Sequence, residues 1–262
     1  MAGLEVLISA LENDADALPL KMNLRTDAVI INQSSEDSAR EVITKNGKRV
    51  RIFECNERGV GRSRNRALSE AKGEIILFSD EDIILDDDYE EKILNEFKKY
   101  PDADLIFFNL EVNEKRRTYW NDKKKRVGKF SCGRYPAYSA AARLDALKKS
   151  NVRFSLLFGG GAPYSNGEDS LFFTDCLRAG LKLIAVPVKI GKETYRDSTW
   201  FKGYTEKFFY DRGVLFHFLY GKAAVLWAAR FAIVKRKVMC REIPPAKAFN
   251  LMKKGIAKGK SL

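Results

Sequence analysis

The nine residues EIILFSDED (74–82) run an apolar segment straight into three acids, Asp80, Glu81 and Asp82. Ile75 to Phe78 call for burial, so the carboxylates are delivered by a segment that belongs inside the protein. Two carboxylates held close repel unless something positive lies between them. Asp-x-Asp at a strand end offers hard oxygen ligands that suit Mg2+ or Mn2+ and leaves coordination sites for a diphosphate. Solvent exposure fits Asp86, Asp87 and Asp88 better, because acids that open a helix cap its amides and suit its dipole. An EF-hand is excluded, since the glycine and closing glutamate of its loop are missing. A second acid pair, Glu168 and Asp169, lies in SNGEDSLFF (165–173). These two read either as acids suited to a helix N-terminus or, for Asp169, as a general base for an attacking hydroxyl.

Several elements must position these groups. LEVLISAL (4–11), DAVIINQ (27–33), RVRIFEC (49–55), the segment ending at Asp80, ADLIFFNLEV (103–112) and LKLIAVPV (181–188) read as strands. GVGRSRNRALSEAKG (59–73) and DDDYEEKILNEFKKY (86–100) carry helical periodicity between them, and a glycine-rich loop at 159–161 leads into a helix ended by Gly180. Strands alternating with helices predict an α/β fold, with a mostly parallel sheet covered on both faces. Such sheets gather ligands at the carboxyl ends of their strands, where Asp80 and Asp82 fall. Residues 113–150 read as irregular, with the basic run DKKKR (122–126).

Charge divides the chain. Residues 212–262 hold 12 Lys and Arg and the single acid Glu242, a net +11, which leaves the first 211 residues at +1 of the total +12. This predicts a body over 1–210 and a basic helical tail over 211–262 that meets an anionic surface. Four separated cysteines without a C-x-x-C pair point to a reducing compartment, and the N-terminus shows no secretory signal pattern.

The ordered segments NERGVGRSRNRALSEAKGEIILFSDED, INQSSED and FGGGAPYSNGEDSLFF resemble family 2 glycosyltransferases of the GT-A fold. DSTWFKGY (197–204) is similar to a segment of relatives associated with bacterial polysaccharide synthesis, and the resemblance spans about residues 4–210. Gly59, Arg64, Asn65, Ala71, Gly73, Asp80 and Asp82 match the central block; Ser63 stands where alanine is common, and Asn32 and Gln33 replace acids of the uridine-binding turn. The resemblance implies an inverting hexosyltransferase with a nucleotide-sugar donor, UDP-linked, and Mn2+ or Mg2+ held by Asp80 and Asp82. Ala10, Leu11, Asn32, Arg64 and Glu81 complete its implied nucleotide-binding set. Asp169 is the implied general base; Gly160, Gly161, Glu168 and Trp200 border the acceptor, a saccharide or lipid-linked hydroxyl. Trp120 and Tyr164 could offer apolar faces to sugar rings. Many relatives carry a metal-binding histidine near KETYRDSTW; here Glu193, Thr194, Tyr195 and Arg196 stand there, and His217 falls in the tail.

VLFHFLYGKAAVLWAARFAIV (214–234) has the length of a membrane span, but Lys222 near its middle disfavours crossing. The expectation is one amphipathic helix in the plane of the inner membrane face, its basic edge near anionic headgroups and Phe216, Tyr220, Trp227, Phe231 and Val234 on the facing side. That places the protein in the cytoplasm as a peripheral membrane enzyme. A nucleotidyltransferase is the related alternative, but the glycine-rich loop it needs after the first strand is absent. A nucleic-acid-binding protein is suggested by the tail and by DKKKR, but no nucleic-acid motif appears, so no such partner is expected. A catalytically inactive relative is the remaining alternative.

Overall fold

A computed structural model of the chain describes residues 3–113, 117–194 and 203–262. Its centre is a ten-stranded sheet of order β3-β4-β2-β1-β5-β9-β7-β10-β6, with β8 pairing beside β10. The strands are β1 Leu4–Ala10, β2 Asp27–Gln33, β3 Ser38–Ile43, β4 Arg49–Cys55, β5 Ile75–Asp80, β6 Ile83–Leu85, β7 Leu105–Glu111, β8 Lys125–Arg126, β9 Ala140–Arg143 and β10 Leu183–Glu193. β4, β2, β1 and β5 run parallel, as do β7 and β10, while β9 enters antiparallel between β5 and β7. The helices are α1 Leu18–Lys21, α2 Val60–Glu70, α3 Tyr89–Lys99, α4 Leu144–Ser150, α5 Glu168–Arg178, α6 Glu206–Tyr220, α7 Ala224–Val234, α8 Arg236–Met239 and α9 Pro245–Gly259.

Every residue of β1 is buried, because both faces of the sheet are covered. Val6, Ile8, Ile30, Ile52 and Leu77 pack toward Tyr89, Ile93 and Phe97 of α3. Their neighbours one residue along, Leu7, Val29, Ile76 and Phe78, pack toward Ala67 and Leu68 of α2 and Phe172 and Phe173 of α5. Side chains alternate along a strand, so Asp80 inherits the α2–α5 side from Phe78. This period of two brings the strand-end acid to the helices that carry Arg64 and Asp169.

The reading of residues 113–150 as irregular is corrected: β8, β9 and α4 lie there. β9 is AAAR, too short and too small in its side chains to show alternation, yet it is buried at the sheet's centre. β6 is only three residues, and β10 runs five residues past the sequence expectation, with register shifts against β7.

The single helix expected over 214–234 is also corrected. The chain breaks at Gly221, which adopts φ +52, and α6, α7 and α9 fold into a helical unit with its own core. Phe216, Tyr220, Trp227 and Phe231 pack there: Phe216 meets Phe231 at 5.6 Å and Tyr220 stacks on Trp227 at 4.6 Å. The aromatic side expected to meet lipid is spent on this core. Among the described residues no helix is long and apolar enough to cross a membrane.

Candidate active site

Arg64 is the hub of the site. On α2 it follows the inward spacing of Gly61, Ser63, Ala67 and Leu68, so the sheet buries a guanidinium with them. Its Nη2 donates to both oxygens of Asp80, at 3.1 and 3.3 Å, and its Nη1 donates to Oδ1 of Asp169 at 2.6 Å. Glu168 Oε1 lies 3.8 Å from the same Nη1, and the Phe154 ring lies 5.3 Å from the guanidinium carbon. Burial opposes the charge, but Asp169, Asp80 and Glu168 outweigh it and raise the Arg64 pKa. The fork is therefore permanently charged and joins the end of β5 to the start of α5.

Asp169 accepts a second bond at Oδ2, from the Ala137 N–H at 3.0 Å. Burial pushes its carboxyl up, with Arg64 and that N–H pulling the other way. Its side chain keeps 22% exposure, which leaves a face open to a reactant. Glu168 is pushed up to about 7, first by burial and then by the Asp169 charge. Room for it depends on Gly159, where a Cβ would stand 2.8 Å from the Glu168 carboxyl carbon.

Asp82 follows β5 in the turn to β6. Thr194 holds its carbonyl, donating from N at 2.7 Å and from Oγ1 at 3.0 Å. Burial and then the charges of Asp80, Glu193 and Glu81 push its carboxyl up to about 6. Among the described residues no three His, Cys, Asp or Glu side chains form a group that could hold a metal. Glu81 turns to the end of β1, where its carboxylate accepts from the Leu11 N–H.

The other expected residues fall into place with different duties. Asn32 is buried; its amide accepts from the Glu12 N–H at 2.9 Å and donates to the Glu12 carbonyl and to Glu54, both at 2.8 Å. It thus locks the turn after β1. Ala10 is buried in the core, while the Leu11 side chain is 43% exposed. Gly160 accepts from the Val60 N–H at 3.0 Å, and Gly161 (φ +79) lies so near Gly59 that a Cβ would come within 3.0 Å of its Cα. These glycines seat the 159–161 loop on the start of α2 by close backbone approach. Trp200 lies outside the described residues, as do Tyr195 and Arg196. Trp120 is partly exposed under Arg117, Tyr164 packs on Phe158, and His217 sits in α6 against Gly259. A cavity of about 460 Å3 opens at the carboxyl ends of β2 and β4, lined by Gln33, Asp37, Glu54, Arg62, Ser63 and Arg66 among others.

Two participants were not foreseen from the sequence: the Ala137 N–H, and Tyr138, whose hydroxyl is held protonated by burial and by the charges of Glu193 and Asp80. Both lie in the stretch read as irregular. They lie in the single 3-10 turn Ala137–Ser139 that leads into β9, and in sequence PAYSAAAR (136–143) shows only small residues after a proline.

The comparisons with known proteins bear on the family and the fold. The model of glycosyl transferase family 2 matches residues 5–154. In structure the chain is similar to Staphylococcus aureus TarS 1–349 in complex with UDP-GlcNAc (TM-score 0.62, 15% identity), covering 92% of this chain and 74% of that one. It is also similar to the mannosyltransferase PcManGT from Pyrobaculum calidifontis in complex with GDP-Man and Mn2+ (TM-score 0.53, 14% identity), covering 99% and 75%. At such identities the likeness shows the fold. No curated protein matches the chain in sequence. With the family model covering more than half of the chain and the fold shared throughout, the chain belongs to glycosyl transferase family 2 and is a glycosyltransferase of the GT-A fold.

Proposed function

We propose that the protein transfers a sugar, with inversion, from a nucleoside diphosphate sugar to a hydroxyl of a saccharide or lipid-linked acceptor in polysaccharide synthesis. The observation that carries this reading is the Arg64 fork, which ties the strand-end Asp80 to Asp169 in one site. UDP is the proposed nucleotide. TarS was crystallised with UDP-GlcNAc, PcManGT with GDP-Man and Mn2+, and both bear on the donor class.

A divalent cation fits the donor set. Asp82 is a carboxylate crowded by three acids, and a hard cation relieves that repulsion. Asp80 is already engaged by Arg64, so Asp82 would be the principal protein ligand, Asp80 would assist, and the diphosphate would supply further oxygens. When bound, such a cation neutralises charge that grows on the leaving diphosphate.

The chain's own residues do the rest. Leu11, exposed just past the end of β1, offers an apolar edge to the base, and the Glu12–Asn32 lock fixes that edge. Arg64 orients Asp169 and opposes the upward push that burial gives its carboxyl, while its second arm fixes Asp80. Asp169 takes the proton of the acceptor hydroxyl as its oxygen attacks the anomeric carbon from the side opposite the leaving diphosphate. The proton ends on the carboxylate and the anomeric configuration inverts. Glu168 shapes the acceptor side next to the glycine loop.

The test is a thermal-shift panel of UDP- and GDP-sugars with and without Mn2+, followed by product analysis. The expected result is stabilisation by one donor series that requires Mn2+ and disappears in Asp82→Ala. Asp169→Asn should keep that stabilisation and lose transfer by about a hundredfold or more, the scale of one general base. Indifference to every donor, or full transfer by Asp169→Asn, would overturn the reading.

A further inference from the structure

The helical unit presents a surface that sugar transfer does not use. Ala224, Ala228 and Ala232 of α7 are buried, with Trp227 and Phe231 beside them, so the helical period turns Val225, Leu226, Arg230 and Ile233 outward. Leu226 is 74% exposed and Ile233 62%, and Val238 of α8 continues the apolar surface. A separate loop of the body adds Phe130, which is 81% exposed and stacks on Trp227 at 5.6 Å. Two segments far apart in sequence thus build one patch. Around it Lys222, Arg230, Lys235, Arg236 and Lys237 are all exposed, and from Arg212 to Arg241 the chain contains no Asp or Glu.

We propose that this face docks on an anionic lipid bilayer, with Leu226, Ile233 and Phe130 entering the boundary between headgroups and acyl chains while the basic residues meet lipid phosphates. The two chemistries select the occupant. A nucleic acid would use the charges but gain nothing from three exposed apolar side chains. A second copy would set the same basic ring against itself. An anionic lipid surface satisfies both at once, and long basic side chains can keep their charges at headgroup level while their stems lie on apolar surface. The face turns away from Phe216, Tyr220 and Phe231, which the core of the helical unit takes up, and meets the aromatic side only at Trp227, where Phe130 rests.

Flotation of the full chain with phosphatidylcholine vesicles, with and without phosphatidylglycerol, tests the proposal. The protein should float with the anionic vesicles and far less with the neutral ones. Leu226→Ser with Ile233→Ser should weaken partition at least about tenfold, since two buried aliphatic side chains are lost. The same variant should keep its melting temperature, because neither side chain packs in the core. The proposal is overturned if the anionic vesicles leave the protein behind, or if the serine variant floats as the parent does. Retention on RNA without vesicle binding, or a concentration-dependent dimer that the serine variant abolishes, would overturn it in favour of another partner. None of these readouts involves donor or transfer, so the proposal stands or falls apart from the sugar-transfer reading.

Discussion

At the scale of single residues the site is a problem of charge. Three acids, Asp80, Glu168 and Asp169, face one buried cation, Arg64, and Asp82 is crowded by Asp80, Glu193 and Glu81. Asp80 and Asp169 take the hydrogen bonds of Arg64, while burial and crowding exact a cost from Asp82, Glu168 and Asp169, whose carboxyls are all raised. Glu168 shows that cost most plainly, at about 7 against an ordinary 4.5. A carboxyl raised in this way binds its proton more tightly in the folded chain than in the unfolded one. The stability it contributes is fully present below pH 4.5 and is lost as the pH climbs through about 7. Glu168→Gln keeps the shape and removes the titration. Measured against the parent, this variant should gain relative stability between pH 5 and pH 8, by about 1 kcal/mol or more, or roughly 2–4 °C of melting temperature at this chain length. A difference between the two that is flat across that range would show that Glu168 is not held protonated.

At the scale of elements, what the sequence revealed depended on how each segment is buried. β1, β2, β5 and β7 are apolar runs because both of their faces are covered, β4 instead alternates, with Val50 and Ile52 buried between Arg49, Arg51 and Phe53, and the bounds of all five were legible to within one or two residues. α2 was legible through spacing, Arg64 only through the resemblance of its block to the family, and Asp80 and Asp82 through their abrupt place after an apolar run. β9 was not, since three alanines owe their burial to neighbours rather than to their own hydrophobicity. The same limit hid the Ala137 N–H, because a backbone group leaves no mark in sequence. The tail misled for another reason: a helical wheel finds an aromatic side but not what covers it. Here α9 covers α6, through Gly213 and Gly255. A Cβ at Gly213 would come within 2.1 Å of the Met252 carbonyl oxygen, and one at Gly255 within 2.0 Å of the Tyr210 carbonyl oxygen. Gly213→Ala should therefore force the two helices apart and cost about 1–3 kcal/mol in chemical denaturation, whereas Gly128→Ala, with open space at its Cβ, should cost little. Equal effects of the two substitutions would mean that the close crossing does not hold the unit together.

At the scale of the whole molecule the question is whether the catalytic body and the helical unit are one cooperative object. A small core joins them: Phe158 and Leu171 of the body pack with Val214 and Leu215 of α6. Buried Asp211 on the same helix accepts from the Ser165 N–H and hydroxyl, each at 2.8 Å, and from Lys207 at 2.6 Å. Ser165 stands only a few residues before Glu168 and Asp169, so the helical unit fixes the loop that enters α5. Separating the two units would strip Asp211 of both Ser165 hydrogen bonds and leave it only Lys207 of its own helix, and together with the loss of the shared apolar contacts this cost couples their unfolding. Calorimetry of the full chain should then show a single transition. A donor with Mn2+ at about a hundred times its dissociation constant would stabilise the folded state by about 2.7 kcal/mol, and the transition should move as a whole. Two resolved transitions, with only the upper or the lower one answering to donor, would show that the basic helices are an appendage rather than part of the machine that positions Asp169.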